Sequence, residues 1–266
     1  MKNKEKKRLR LSDFEKPIWA VISIIGFLIV WQLLTTYTPI KITTPKPLEV
    51  FKFLVWSLTH NIGQQTILGH ILISIFRVLT GFAIGAVTGI ILGISMGVNK
   101  YARAIIRPFF EVFRQIPPIA WIPMAILWFG IGEVPKVFII FIGTFVNVTL
   151  NAYAGSSQVN PTLIGAAKML GSNERDIFLH VILPASVPQI FNGMQVGFSV
   201  SWMGVLAAEM VSSFAGVGWV IIRGSDTANI PQVLAGMIAI GIVGLLLSSL
   251  MRYIEKRLTI WNSTGI

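Results

Sequence analysis

Apolar runs of roughly 20 residues recur along this chain, each long enough to cross a hydrocarbon layer as a helix. Such a chain has lipid for much of its solvent, so an all-α, polytopic membrane protein is expected. Six spans are assigned, at about Ile18 to Tyr37, Gly81 to Val98, Ala120 to Ile131, Val137 to Ala154, Val187 to Met210 and Val233 to Tyr253. The third is short and follows Gln115-Ile-Pro-Pro, so its start is placed deeper, in Phe109 to Ile116. Thr43-Thr-Pro-Lys-Pro and the amphipathic segments Leu48 to Leu58 and Thr66 to Thr80 are assigned to the outer interface. Gly132 to Lys136 reads as a turn, and Ser212 to Ile230 as a glycine-broken outer segment. Its part Ser213 to Gly218 is expected to fold back into protein, because irregular backbone at membrane depth needs protein or a wet cavity beside it. The reading is a single domain, residues 18–254, between a basic N-terminus (1–17) and a short tail (255–266).

The net charge of +11 would by itself suit nucleic acid. Its distribution argues otherwise. Lys2 to Lys16, Lys100 to Arg114, Lys168 with Arg175, and Arg252 to Arg257 fall on one side of the six spans. Only Lys41, Lys46, Lys52, Arg77, Lys136 and Arg223 fall opposite or near the opposite interface. Lysine and arginine concentrate on the cytoplasmic side of membrane proteins, so both termini and the polar loop 155–186 are expected there, next to anionic lipid headgroups. The start has the basic-then-apolar layout of a signal peptide, yet Leu34-Thr-Thr-Tyr-Thr offers no small-x-small cleavage site, and the first span is expected to remain.

The loop 155–186 carries the most informative segment, Asn160 to Pro184. Asn160 before Pro161 is a helix start, with a capping side chain and a ring whose missing N–H would have had no partner. Gly171 stops that helix, and Ser172 or Asn173 caps a second, with Glu174 and Asp176 in its first turn, until Pro184 interrupts the ladder. Ala166, Ala167 and Gly171 leave one face nearly free of bulk, the shape of a docking surface. The pattern Gly165-Ala166-Ala167, Gly171, then Val181-x-Leu183-Pro184 resembles the EAA loop of ABC importer permeases, with matching spacing throughout. Gly165 stands where that family often has Glu, and Val181 where it has Ile. The first change removes one charge that would contact an ATPase.

Within the spans, Gly81, Gly85, Gly89, Gly93 and Gly97 recur every four residues along one helix face, and Gly193 and Gly197 repeat the spacing in the fifth span. Small residues at that interval let two helices approach closely in lipid. Asn147, Asn151, Gln195 and Ser199, with Ser201, are uncharged polar groups that either line a translocation cavity or bond across helices, with Trp202 and Met203 beside them. An acidic residue at a span centre costs roughly 2.5 to 3.5 kcal/mol. Glu209, near the outer end of the fifth span, therefore either lines an outer gate, pairs with Arg223 or Arg77, or bonds the glycine-rich loop that follows it.

Catalytic chemistry has little support. There is no Cys, no phosphate-loop Gly-x-x-x-x-Gly-Lys-Ser/Thr, no Gly-x-Ser-x-Gly and no His-Glu-x-x-His, and His60, His70 and His180 lack metal-ligand spacing. A secondary transporter would need several ionisable groups within its bundle, and the spans offer few besides Glu209.

Further motifs extend the resemblance over nearly the whole chain: Thr43-Thr-Pro-Lys-Pro, Ser74-Ile-Phe-Arg-Val-Leu-Thr-Gly-Phe82, Pro117-Pro-Ile-Ala-Trp-Ile-Pro123, Trp128-Phe-Gly-Ile-Gly132, and Ala207-Ala-Glu-Met210 with Gly216-Val-Gly218. Together they resemble the nitrate, sulfonate, taurine and bicarbonate permease family. The resemblance implies a type I ABC importer permease of the bacterial plasma membrane, working as a homodimer. Two separate ATPase subunits would hold ATP and Mg and dock on Gly165, Ala166, Ala167, Lys168, Gly171 and Arg175 with Val181, Leu183 and Pro184. A periplasmic or lipid-anchored binding protein would select the cargo. A small organic anion such as an alkanesulfonate or taurine is the first expectation, nitrate or bicarbonate the second, a thiamine pyrimidine precursor the third. The chain itself would hold no cofactor and no metal.

Overall fold

A computed structural model of the chain describes residues 12–258. Residues 1–11 and 259–266, with most of the basic N-terminus and the end of the expected tail, lie outside the described residues. The described chain is helical: α1 (Ser12–Tyr37), α2 (Pro47–Ser57), α3 (Ile67–Val98), α4 (Lys100–Phe113), α5 (Ile122–Phe129), α6 (Glu133–Ser157), α7 (Pro161–Met169), α8 (Glu174–Ile177), α9 (Leu183–Ser212), α10 (Val217–Asp226) and α11 (Ile230–Leu258). Four helical runs are long and apolar enough to cross a membrane: Ile67–Val98, Glu133–Ser157, Glu174–Ser212 and Ile230–Arg257. Val21–Tyr37 with Pro39–Ser57, bent by 87°, and Lys100–Phe113 with Pro118–Phe129, bent by 85°, bring the number to six if each pair is one span.

Three expected boundaries are corrected. Thr66 to Thr80 is not a separate interfacial segment; it is the first half of α3, which Thr66 caps by accepting the Gly69 N–H at 3.3 Å. Its polar residues His70, Ser74 and Arg77 continue the stripe of Gly81, Gly85 and Gly89, all of them buried. They are polar because they meet other polar groups inside the bundle rather than water. Gly132 to Lys136 is likewise no turn: α6 begins at Glu133, with Pro135 in the first turn, where a missing N–H has no helical partner. Nor does Pro184 end its helix. Phe178–Ile182 forms a π segment in which the Leu183 N–H reaches back five residues to the Phe178 carbonyl. The widened turn accommodates the proline, so Glu174 to Ser212 is one helical run of 39 residues.

Helix α6 lies between α3 and α9, and glycines set how closely. A Cβ added at Gly85 would lie 2.7 Å from the Thr144 Cβ, and one at Gly93 would lie 2.5 Å from the Thr149 carbonyl oxygen. On the other side of α6, a Cβ at Gly193 would sit 2.5 Å from the Asn151 Cβ. Backbone therefore meets backbone along both contacts, as dispersion-driven packing in lipid requires. Val78, Ile140, Phe198, Trp202, Val205 and Val243 form the core that joins α3, α6, α9 and α11.

Candidate functional site

The Asn160 to Pro184 insert folds into a helix that stands outside this core: no residue of α7 is buried. The Asn160 side chain accepts the Thr162 N–H at 2.9 Å and opens the helix. At the other end Gly171 adopts φ +84°. Its N–H bonds the Lys168 carbonyl at 3.0 Å, and the Ser172 N–H bonds the Ala167 carbonyl at 3.1 Å. This paired pattern closes a helix through a left-handed residue, a conformation that glycine takes without steric cost. Asn173 then caps α8 by accepting the Asp176 N–H at 2.9 Å. Lys168 Nζ reaches Glu174 at 2.9 Å and ties the two helices across the glycine. Around Gly165 and Gly171 an added Cβ would meet nothing within 4 Å. Met169 and Leu170 are 87% and 86% exposed. The insert is thus a rigid corner with an open, small-residue face and an apolar tip. Val181 and Leu183 are half-buried at its junction with α9, Pro184 is exposed, and Ile177 anchors the corner in the bundle.

The polar span residues divide into two groups. Asn192, Gln195, Ser199 and Met203 follow one another at three- and four-residue steps on an open face of α9. Asn151 of α6 joins them, its Oδ1 accepting from Gln189 Nε2 at 3.2 Å and Asn192 Nδ2 at 3.4 Å. Asn147 and Asn151 spend their own Nδ2 groups on the carbonyls of Gly143 and Asn147, four residues back. Trp202 faces the other way, into the core, and Ser201 is buried with its hydroxyl 2.6 Å from that of Thr144. From the sequence, Trp202, and Glu209 if it lines a gate, would stand along a cavity with the others; both lie inside the fold of the single chain.

Glu209 is fully buried at the centre of a charge cluster. Its Oε1 accepts from Arg77 Nη1 at 2.7 Å and from Ser74 Oγ at 2.8 Å, while Oε2 accepts the Gly218 N–H at 2.9 Å. Arg77 Nη1 also donates to the Ala215 carbonyl at 2.7 Å, and Nε and Nη2 grip both oxygens of Glu133 at 2.5 and 2.7 Å. Lys136 completes the set, 3.1 Å from Glu133. Ser74 Oγ in turn accepts the Val217 N–H at 3.0 Å. His70 Nδ1 accepts the Gly216 N–H at 3.1 Å, and its Nε2 lies 2.9 Å from the Ile62 carbonyl. A carbonyl only accepts, so Nε2 carries the proton and the ring is neutral. Side chains of α3 thus replace the missing helix partners of a loop more than 130 residues away in sequence. Gly216, at φ +113°, presses directly on the Glu209 carboxylate, where no side chain would fit. Of the two partners expected for Glu209, Arg77 is the one found; Arg223 is not in the cluster.

Ser74, His70, Glu133 and Lys136, with Gln189 and Asn192, were not picked out from the sequence as site residues. A signal for three of the cluster was present: His70, Ser74 and Arg77 share the helical face of the glycine track.

The family model described as "Binding-protein-dependent transport system inner membrane component" matches residues 85–260. A putative ABC transporter permease protein of Methanocaldococcus jannaschii is 38% identical, the alignment covering 88% of each chain. The taurine transport system permease protein of Escherichia coli is 32% identical over 87% of this chain and 85% of its own. At the level of fold, a crystal structure of an amino acid ABC transporter with histidines superposes with a TM-score of 0.60 at 19% identity, covering 79% of this chain and 97% of that one.

Proposed function

The chain belongs to the family of binding-protein-dependent inner-membrane transport components, the non-catalytic permease subunits of ABC importers, and from that premise we propose that it imports a small organic anion, an alkanesulfonate or taurine. Two copies form the path, and two ATPase subunits, which hold ATP and Mg, dock on α7. A periplasmic or lipid-anchored protein delivers the cargo at the opposite end. Both termini and α7 then face the cytoplasm, in keeping with the basic residues on that side.

One observation carries the coupling role: α7 is an ordered, capped helix with no buried residue, joined through Gly171 to a helical run that continues into the bundle. A helix that buries nothing in its own chain gains little from tertiary packing and is available to another surface. Closure of the ATPase pair on ATP would draw the two α7 corners together. Because α8 and α9 are continuous, that displacement would reach the open polar face of α9 without an intervening loop. Asn192, Gln195 and Ser199 offer uncharged donors and acceptors there, suited to passing an anion rather than holding it. Nitrate and bicarbonate remain the alternative cargo, a reading that rests on the motifs this chain shares with permeases for them.

The test is ATPase activity of the lipid-reconstituted complex, co-expressed with its adjacent ATPase gene, with binding proteins loaded in turn with sulfonate, taurine, nitrate or bicarbonate. Stimulation by a sulfonate- or taurine-loaded protein supports the reading in full, and stimulation only by a nitrate or bicarbonate protein replaces the cargo. Failure of any ATPase to co-purify overturns the docking role.

A further inference from the structure

Arg223, left out of the Glu209 cluster, lines a cavity of about 310 Å³ between α2, the 58–66 connection, α10 and the start of α11. Ligand pockets run from roughly 300 to 1,000 Å³, so this one suits a small molecule. Its guanidinium joins no ion pair and donates no hydrogen bond among the described residues. The side-chain amide of Asn61 is likewise uncommitted. Asn229 uses its Oδ1 to cap α11 through the Gln232 N–H at 3.2 Å, which leaves its Nδ2 as a donor. Among the described residues no Asp or Glu lines the cavity, and Asp226 lies outside its wall. At the start of α11 beside it, the Gln232 and Val233 N–H groups are already bonded to Asn229. Phe53, Trp56 and Trp219 supply the rest of the lining. The wall is held in place rather than loose: His70 bonds the Ile62 carbonyl, and Trp219 packs on Gly63.

We propose that this cavity is an oxyanion site for a small organic anion, with Arg223, Asn61 and Asn229 on the charged head and Trp56 and Trp219 against an apolar stem. A fork of N–H donors and no competing carboxylate on the wall favour an oxyanion over a cation or a neutral ligand. The same chemistry would take the phosphate of an anionic lipid. Preference for a free anion rests on the importer reading above, whereas the donor set does not.

The experiment measures binding of radiolabelled butanesulfonate to the full permease–ATPase complex in phosphatidylcholine nanodiscs, for wild type, Arg223→Gln and Asn61→Leu. Lipid that co-purifies from phosphatidylglycerol-containing membranes is counted by mass spectrometry in parallel. Loss of one charge-assisted donor should weaken binding about tenfold or more, with ATPase association and thermal stability unchanged. Saturable butanesulfonate binding lost in Arg223→Gln supports the site with a free anion. Phosphatidylglycerol retained by wild type and lost in Arg223→Gln supports the same site with a headgroup. The proposal falls if wild type and both variants bind each probe alike, and it falls alone if the complex still shows binding-protein-stimulated ATPase activity. If Arg223→Gln does not fold, Asn61→Leu decides, since Asn61 is exposed and its side chain bonds nothing among the described residues.

Discussion

Glu209→Gln is a nearly isosteric change, yet the geometry makes it severe. The carboxylate receives three donors, Arg77, Ser74 and the Gly218 N–H, spread over both oxygens. Glutamine has one acceptor oxygen and one NH2 group. If its oxygen faces Arg77 and Ser74, the NH2 group confronts the Gly218 N–H and leaves a buried donor unpaired, at about 1–3 kcal/mol. If it faces Gly218 instead, a guanidinium only 4% exposed loses one of its two carboxylates. Breaking a buried ion pair on one side costs about 3–5 kcal/mol. Glu133, whose side chain is 61% exposed, keeps its grip on Arg77 and moderates that figure. The expected loss is therefore about 2–4 kcal/mol. At roughly 2–4 °C per kcal/mol for a chain of this size, the melting temperature in detergent should fall by about 4–16 °C. The assay is thermal unfolding of the purified chain by size-exclusion monitoring, with Ser74→Ala, which removes one donor and the acceptor of Val217, as an intermediate case. A Glu209→Gln protein that melts within about 1 °C of wild type would refute the cluster as drawn.

Gly93→Ala should destabilise by about 1–3 kcal/mol, because the new methyl meets the Thr149 carbonyl rather than a movable side chain; Gly241→Ala, with open space around it, should not, and equal melting points for the two would remove the close α3–α6 contact. Gly171→Leu forces a branched side chain into a left-handed conformation at about 1–2 kcal/mol and opens the corner, so ATPase co-purification should drop while membrane abundance holds. Gly165→Ala, on the same face without a strained φ, should leave the corner intact, and normal coupling in Gly171→Leu would defeat the docking assignment. Lys168→Gln breaks a pair exposed on both sides, so stability should change by less than about 1 kcal/mol, as read by the same melting assay.

The apolar runs and the EAA-like spacing were legible because both are local signals: composition over roughly 20 residues in one case, fixed intervals in the other. Asn160, Gly171 and Asn173 act as their side chains predict, since capping is settled within a turn. What could not be read locally was why α3 carries His70, Ser74 and Arg77. Polarity over Thr66 to Thr80 looks like contact with water, and only the distant Glu209 and the Gly216 to Gly218 backbone reveal that it is interior bonding. Pro184 misled for a related reason. A proline has no N–H to give in either kind of turn, but a π turn relieves the clash of its ring with the carbonyl four residues back, and nothing in the residues Phe178 to Ile182 announces the extra width. Trp202, adjacent to polar neighbours in sequence, points away from them because successive helix positions diverge by about 100°.

That π segment also sets an angular register. Each residue added to or removed from an α-helix turns everything beyond it by about 100°. The five residues Phe178–Ile182 therefore act as a length standard between the corner at Gly171 and the stripe of α9. Substitutions there are tolerable so long as the count is kept, whereas deletion of a single residue would collapse the wide turn to an α turn and set the Pro184 ring against the carbonyl four residues before it. Between relatives, this stretch should accept changes of identity far more readily than changes of length.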